Sequence, residues 1–150
     1  MDIPVKTNKT GIEAESIIAK TNYSIKINEK PFDSTGHKLT YYKEEEYYFL
    51  GKIDGRPFHG TDGGVPDRII SSFTVKINNK RVNIPSSAYN DLYQPNLYSG
   101  KDFSPVNIFV DRNNTYLIVE HWGSDASGSY TVYWIFKNGI YLGRQMSDFC

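Results

Sequence analysis

Short runs in which every second residue is apolar recur along this chain, separated by clusters of Gly, Asn, Asp, Ser and Pro. A period of two puts alternate side chains on opposite faces of a strand, so the pattern predicts an antiparallel all-β domain. Strands are expected near residues 23–28, 38–43, 46–53, 69–77, 80–84, 106–111, 115–121, 129–137 and 140–146. In SSFTVKINNKRVNI, Phe73, Val75 and Ile77 alternate with Thr74 and Lys76, and Asn78-Asn79 supplies a turn before Val82 and Ile84 resume. This is a hairpin with one wet face. VNIFVDRNNTYLIVE turns at residues 111–114 and TVYWIFKNGIYLG at Asn138-Gly139, so residues 106–146 read as a C-terminal meander. Glu44-Glu45-Glu46, between TYYK and YYFLGK, reads as a charged hairpin tip that discourages edge pairing.

Helix is scarce. GIEAESIIAK is expected to form about two turns through Ile12, Ile17 and Ile18, with residues 1–20 flexible or briefly helical. PSSAYNDLY is expected to make one turn starting at Pro85 or Ser86. YSIKINEK at 23–30 and FTVKINNK at 73–80 share Lys26/Lys76, Ile27/Ile77, Asn28/Asn78 and Lys30/Lys80. The echo reads as two hairpins with the same turn chemistry rather than as a duplicated half. Gly at 51, 55, 60, 63 and 64 and Pro at 57 and 66 allow no continuous element, so residues 51–68 are expected to be a surface loop.

A length of 150 residues suits one domain with a single core, and the expected architecture is a compact antiparallel sheet, sandwich or barrel with at most two short helices. Lys plus Arg and Asp plus Glu are 17 each, so no net field attracts nucleic acid or an anionic membrane. The only cysteine is Cys150, which excludes an intramolecular disulfide. The first residues lack an apolar run of signal-peptide length and no segment is long enough to span a bilayer. The expected location is therefore cytoplasmic, or periplasmic if a leader has been removed.

Ser124, Ser127 and Ser129 beside Asp125, with His121 before them, supply the residue types of a hydrolase triad. GSDASG is not the G-x-S-x-G elbow, however, and it lies between two strands where the elbow needs a strand and then a helix. Asp54, His59, Asp62 and Asp67 supply oxygen and nitrogen donors without the order of a known metal loop, so neither metal nor cofactor is expected. TDGGVPDR leads into a strand, whereas a phosphate cradle needs a helix N-terminus. Tyr41, Tyr42, Tyr47 and Tyr48 offer stacking faces for bases but no basic groove to hold a phosphate backbone. Recognition of another protein remains. The expected contact face is His121, Trp122, Asp125, Ser127, Ser129 and Tyr130, with Asp62, Asp67 and Arg68 of the Gly-rich loop as a second set. A carbohydrate or small-ligand site on Trp122, Trp134 and the tyrosines is the alternative, and a small serine hydrolase a third reading.

GSDASGSYTVYWIFKNGIYLGR and INNKRVNIPSSAYNDLYQPN resemble segments of small, uncharacterised bacterial all-β proteins, and together they span under a third of the chain. SGSY, residues 127–130, is similar to the Ser-Gly-x-x-Tyr loop of bacterial lysozyme inhibitors, with one residue fewer between Gly128 and Tyr130. Those β proteins insert a loop into an enzyme's cleft. The resemblance implies a loop inserted into a partner. A neutral β domain of this size also suits the immunity proteins that bacteria hold against toxin enzymes, and without a credible catalytic set no turnover of its own is expected.

Overall fold

The structure, a computed structural model, describes residues 1–98, 104–124 and 128–148. It is built almost wholly of antiparallel strands, as the alternation predicts. One five-stranded sheet runs in the order β1 (Asp2–Ile3), β9 (Val106–Val110), β10 (Tyr116–Gly123), β11 (Tyr130–Lys137), β12 (Ile140–Asp148). The second runs β2 (Lys6–Asn8), β3 (Gly11–Ile18), β4 (Thr21–Pro31), β7 (Arg68–Ile77), β8 (Lys80–Arg81). β5 (Leu39–Glu44) and β6 (Tyr47–Ile53) form a separate two-stranded hairpin. Among the described residues no helix is long and apolar enough to cross a membrane.

The two sheets pack face to face over one core. Ile12, Ile25, Ile27 and Val75 of one sheet and Val119, Val132, Trp134 and Phe136 of the other are fully buried in a single cluster. Phe73 crosses the interface and meets the Trp134 ring edge-on, with centroids 4.5 Å apart. Each such side chain contributes about 1.5–3 kcal/mol by leaving water. Two bulges aim side chains into this layer. Ser71 is the extra residue of β7, because Asn28 pairs with Ser72 and Glu29 with Ile70; Ile70 and Phe73, three apart, therefore both face inward. Leu142 plays the same part in β12, between Tyr141 and Gly143, which turns Arg144 toward the connection that carries Asp91.

Two expectations are corrected. GIEAESIIAK is strand β3, with Ile12, Ala14 and Ile18 buried and Glu13, Glu15 and Ile17 exposed; this is mainly a period of two, and residues 1–20 carry β1, β2 and β3 rather than a helix. The echo at 23–30 and 73–80 is not two similar turns. Asn78 and Asn79 do turn, at φ 51° and 64°, but Asn28 lies inside β4, hydrogen-bonded between β3 and β7. The single turn expected at Pro85 or Ser86 is present as a short 3-10 helix, Ser86–Ala88.

Candidate functional site

The two ends of the sandwich differ. At one, tight turns join the strands; at the other, the long connections gather, and there the two loops singled out in the sequence come together. The Ser124 hydroxyl donates to the Gly60 carbonyl at 2.7 Å, and the Ser124 amide to the Gln94 carbonyl at 2.7 Å. The Gln94 side chain accepts from the amides of Asp67 and Arg68 at 2.8 and 2.9 Å. Gly60 is required at this junction. Its φ is +125°, and a Cβ there would lie 2.2 Å from the Tyr93 carbonyl oxygen.

Partly buried ion pairs hold the connection between β8 and β9 against the sheets. Arg144 donates from both terminal nitrogens to the Asp91 carboxylate, each at 2.7 Å, and also to the Ala88 carbonyl, which the Trp134 indole N–H shares at 2.9 Å. Burial alone would raise the Asp91 pKa, but the Arg144 hydrogen bonds and charge outweigh it and the carboxyl sits below its usual range. Glu29, buried in β4, accepts from Arg68 and from the Leu97 amide. Arg68 thus serves as a tie between connections.

The expected contact face divides. His121 and Tyr130 are corrected from contact residues to core residues, both fully buried. β10 and β11 pair Gly123 with Tyr130, and the Tyr130 ring fills the space a Gly123 side chain would take, with a Cβ there only 2.0 Å from Cζ. The Tyr130 hydroxyl donates to the Tyr93 carbonyl at 3.0 Å. Burial pushes its phenol pKa far up, and Asp91 and Glu29 add to the shift. His121 is stacked on Trp134 with centroids 6.1 Å apart, and its Nδ1 faces the Pro105 carbonyl at 3.1 Å, which assigns the proton to Nδ1. Its Nε2 is buried without a hydrogen-bond partner among the described residues, so it does not engage a serine there. Burial pulls the His121 pKa down to about 4, against a smaller upward pull from the Pro105 carbonyl.

Trp122, on the outer face of β10, is 47% exposed, and Ser129 is half-buried. Asp125 and Ser127 lie outside the described residues. Asp62 and Asp67 are exposed in the Gly-rich loop. Asp54 is engaged with His37, at 2.7 Å, and with the Lys38 amide, at 2.9 Å, closing the base of the β5–β6 hairpin. Among the described residues no three His, Cys, Asp or Glu side chains gather as metal ligands.

The feature the sequence understated is that hairpin. Every residue from 41 to 49 is exposed, and Tyr47 and Tyr48 are 74% and 69% accessible. Pairing puts Tyr42, Phe49 and Tyr47 on one face and Tyr41 and Tyr48 on the other, with Glu45-Glu46 forming the turn. Its base is rooted in a small second core of Leu50, Ile53 and Tyr93, joined by Phe32, Leu39, Phe58 and Ile69. The Gly-rich loop braces its side, where the Leu50 amide donates to the Gly63 carbonyl at 2.8 Å. The signal was present as paired tyrosines on both sides of three glutamates. Comparison with protein-family models, curated proteins and solved structures finds no match to this chain.

Proposed function

We propose that this protein is an inhibitor that binds another protein, acting as an immunity protein that occludes the active site of a toxin enzyme, and that the β5–β6 hairpin is the element inserted. The observation that carries the reading is an aromatic hairpin exposed on both faces and rooted in a packed base. Tyr41, Tyr42, Tyr47, Tyr48 and Phe49 offer rigid contact area at low entropic cost. Two ladder strands and a braced side hold the tip before binding, which reduces the ordering penalty. Glu44, Glu45 and Glu46 at the tip complement a basic cleft, of the kind presented by enzymes that act on polyanions. Trp122 and the exposed Asp62 and Asp67 belong to the same end of the molecule and extend the contact.

The test is inhibition of the enzyme encoded beside this chain's gene by the purified protein. Wild type should abolish its activity at stoichiometric concentration. Tyr47→Ala with Tyr48→Ala should leave the circular dichroism and melting temperature unchanged and weaken inhibition by about 2 kcal/mol or more, about thirtyfold. No effect of wild type on that enzyme overturns the inhibitor reading. Full inhibition by the folded double variant overturns the hairpin as the inserted element.

A further inference from the structure

The tight-turn end of the sandwich is not filled. Between the sheets it leaves a cavity of about 490 Å³, within the range of pockets that take small organic ligands. Half-buried Ile77 gives it apolar surface, with the buried Val82, Leu117 and Phe136 behind it. The Asn114 side chain latches one side, donating to the Ile18 carbonyl at 3.1 Å and the Thr21 hydroxyl at 2.7 Å while accepting from the Tyr23 hydroxyl. That latch joins the β9–β10 turn to the opposite sheet and so ties the two walls together.

The charge of the lining has one sign. Lys80 and Arg81 border the cavity, and no Asp or Glu does so among the described residues. Neither cation makes a hydrogen bond or ion pair within those residues. The nearby Asp111 carboxylate is occupied by the amides of Thr115 and Tyr116, at 2.7 and 2.8 Å. Lys80 pairs with Ile77 across the β7–β8 turn, which places it on the inward face beside the apolar lining. The Asn138 side chain, in the β11–β12 turn, adds an amide at the rim that is uncommitted within the described residues. Tyr23 and Phe136, the aromatic residues lining it, are buried, so no open ring face is present for a sugar to stack on.

We propose that this cavity is a binding site for a small organic anion with an apolar body, an arene carboxylate or sulfonate: the body lies against Ile77 and the anionic group meets Lys80, with Arg81 adding positive charge beside it. The site is independent of the hairpin and lies at the other end of the sandwich.

Titration of the full chain with naphthoate, followed through backbone amide NMR shifts, tests it. Saturable shifts are expected at Ile77, Lys80, Leu117 and Asn138, with a Kd below about 1 mM. Lys80→Glu with Arg81→Glu, both exposed positions, should weaken binding by about tenfold or more without moving the melting temperature. The neutral analogue naphthylmethanol should also bind about tenfold more weakly. Absence of saturation at about 10 mM naphthoate, or shifts confined to the hairpin and Trp122, overturns the site. Equal affinity for the neutral alcohol, or undiminished affinity in the folded double variant, overturns the anionic selectivity; if that variant does not fold, Lys80→Gln alone gives the same reading.

Discussion

At one end of the sandwich the strands are joined by tight turns at residues 19–20, 78–79, 111–115 and 138–139. At the other, long connections fold over one another and are held by charged groups that are partly or wholly buried. The turns of the tight-turn end are made by residues next to one another in sequence, and Asn114 adds a neutral long-range tie there. The loop end depends on partners such as Glu29 with Leu97 and Ser124 with Gly60, 68 and 64 residues apart. Local turns cost little loop entropy, whereas the long connections must be anchored by enthalpically specific contacts. An exposed hairpin with aromatic faces therefore needs its own small core and its own clamps at the base.

The clamp at Asp91 gives the largest expected effect. Asp91→Ala removes both carboxylate partners of Arg144 and leaves a half-buried guanidinium with only the Ala88 carbonyl. Breaking such a pair from one side should cost about 3 to 4 kcal/mol, read as a fall in urea midpoint at unchanged slope. A loss below about 1 kcal/mol would mean that this connection is held by packing alone and that the two ends do not differ as described.

Acid should weaken the loop end next. His121 folds neutral with a pKa of about 4, and an unfolded chain protonates it near its ordinary 6.5. Between those values the unfolded state binds more protons. Stability from this group is therefore full above about pH 6.5 and declines as pH falls, by about 3 kcal/mol at pH 4. The lowered carboxyls of Asp91 and Asp111 act in the same direction further into acid, as pH falls through their folded values. His121→Phe separates the two contributions because it keeps a ring against Trp134 but cannot titrate. The gap between wild-type and variant stability should change by about 3 kcal/mol between about pH 7.5 and pH 4, and a constant gap would refute the neutral buried imidazole.

Asn114 is the corresponding tie at the tight-turn end, and it is neutral. Asn114→Ala leaves the buried Tyr23 hydroxyl and the Ile18 carbonyl without their partner. An uncharged latch of this kind should cost about 1.5 kcal/mol, with no pH dependence across the range where His121 titrates. If Asn114→Ala costs more than Asp91→Ala, the tight-turn end is the more heavily tied of the two. The same variant should also loosen the cavity wall and weaken naphthoate binding.

What could be read from the sequence follows this division. Asn78-Asn79 and Asn138-Gly139 announce their hairpins because the left-handed conformation they adopt suits those residue types. The meander and most strand positions follow from them and from the alternation. The inward or outward role of His121 and Tyr130 was not legible: β10 and β11 carry apolar residues on both faces, Leu117 and Val119 on one and Ile118 and Trp122 on the other, and a polar histidine beside a Gly/Ser loop suggests the surface. Tyr41, Tyr42, Tyr47 and Tyr48 were legible as open faces on a charged hairpin; that the hairpin stands apart from both sheets on a small core of its own was not, because that core draws on Phe32, Phe58 and Tyr93 from distant segments. Nothing local announces that Glu29 meets Arg68 and Leu97.

The missed strand β3 yields the smallest and sharpest prediction. Ile18 pairs with Thr21, so Ala19 and Lys20 alone make the turn into β4, at φ 48° and 68°. Both are left-handed positions of a type I′ turn, and neither residue favours that region. GIEAESIIAK therefore carries no turn signal and continues, to the eye, as a helix. Replacing Ala19→Asn with Lys20→Gly supplies the residues that the geometry asks for and touches no core side chain. Stability should rise by about 1 kcal/mol, seen as a higher urea midpoint at unchanged slope. Because residue 18 also presents its carbonyl to Asn114, the gain should persist in the Asn114→Ala background if turn and latch act separately. Loss of the gain there would show that the latch already imposes the turn, and that this end too depends on a long-range contact for part of its local geometry.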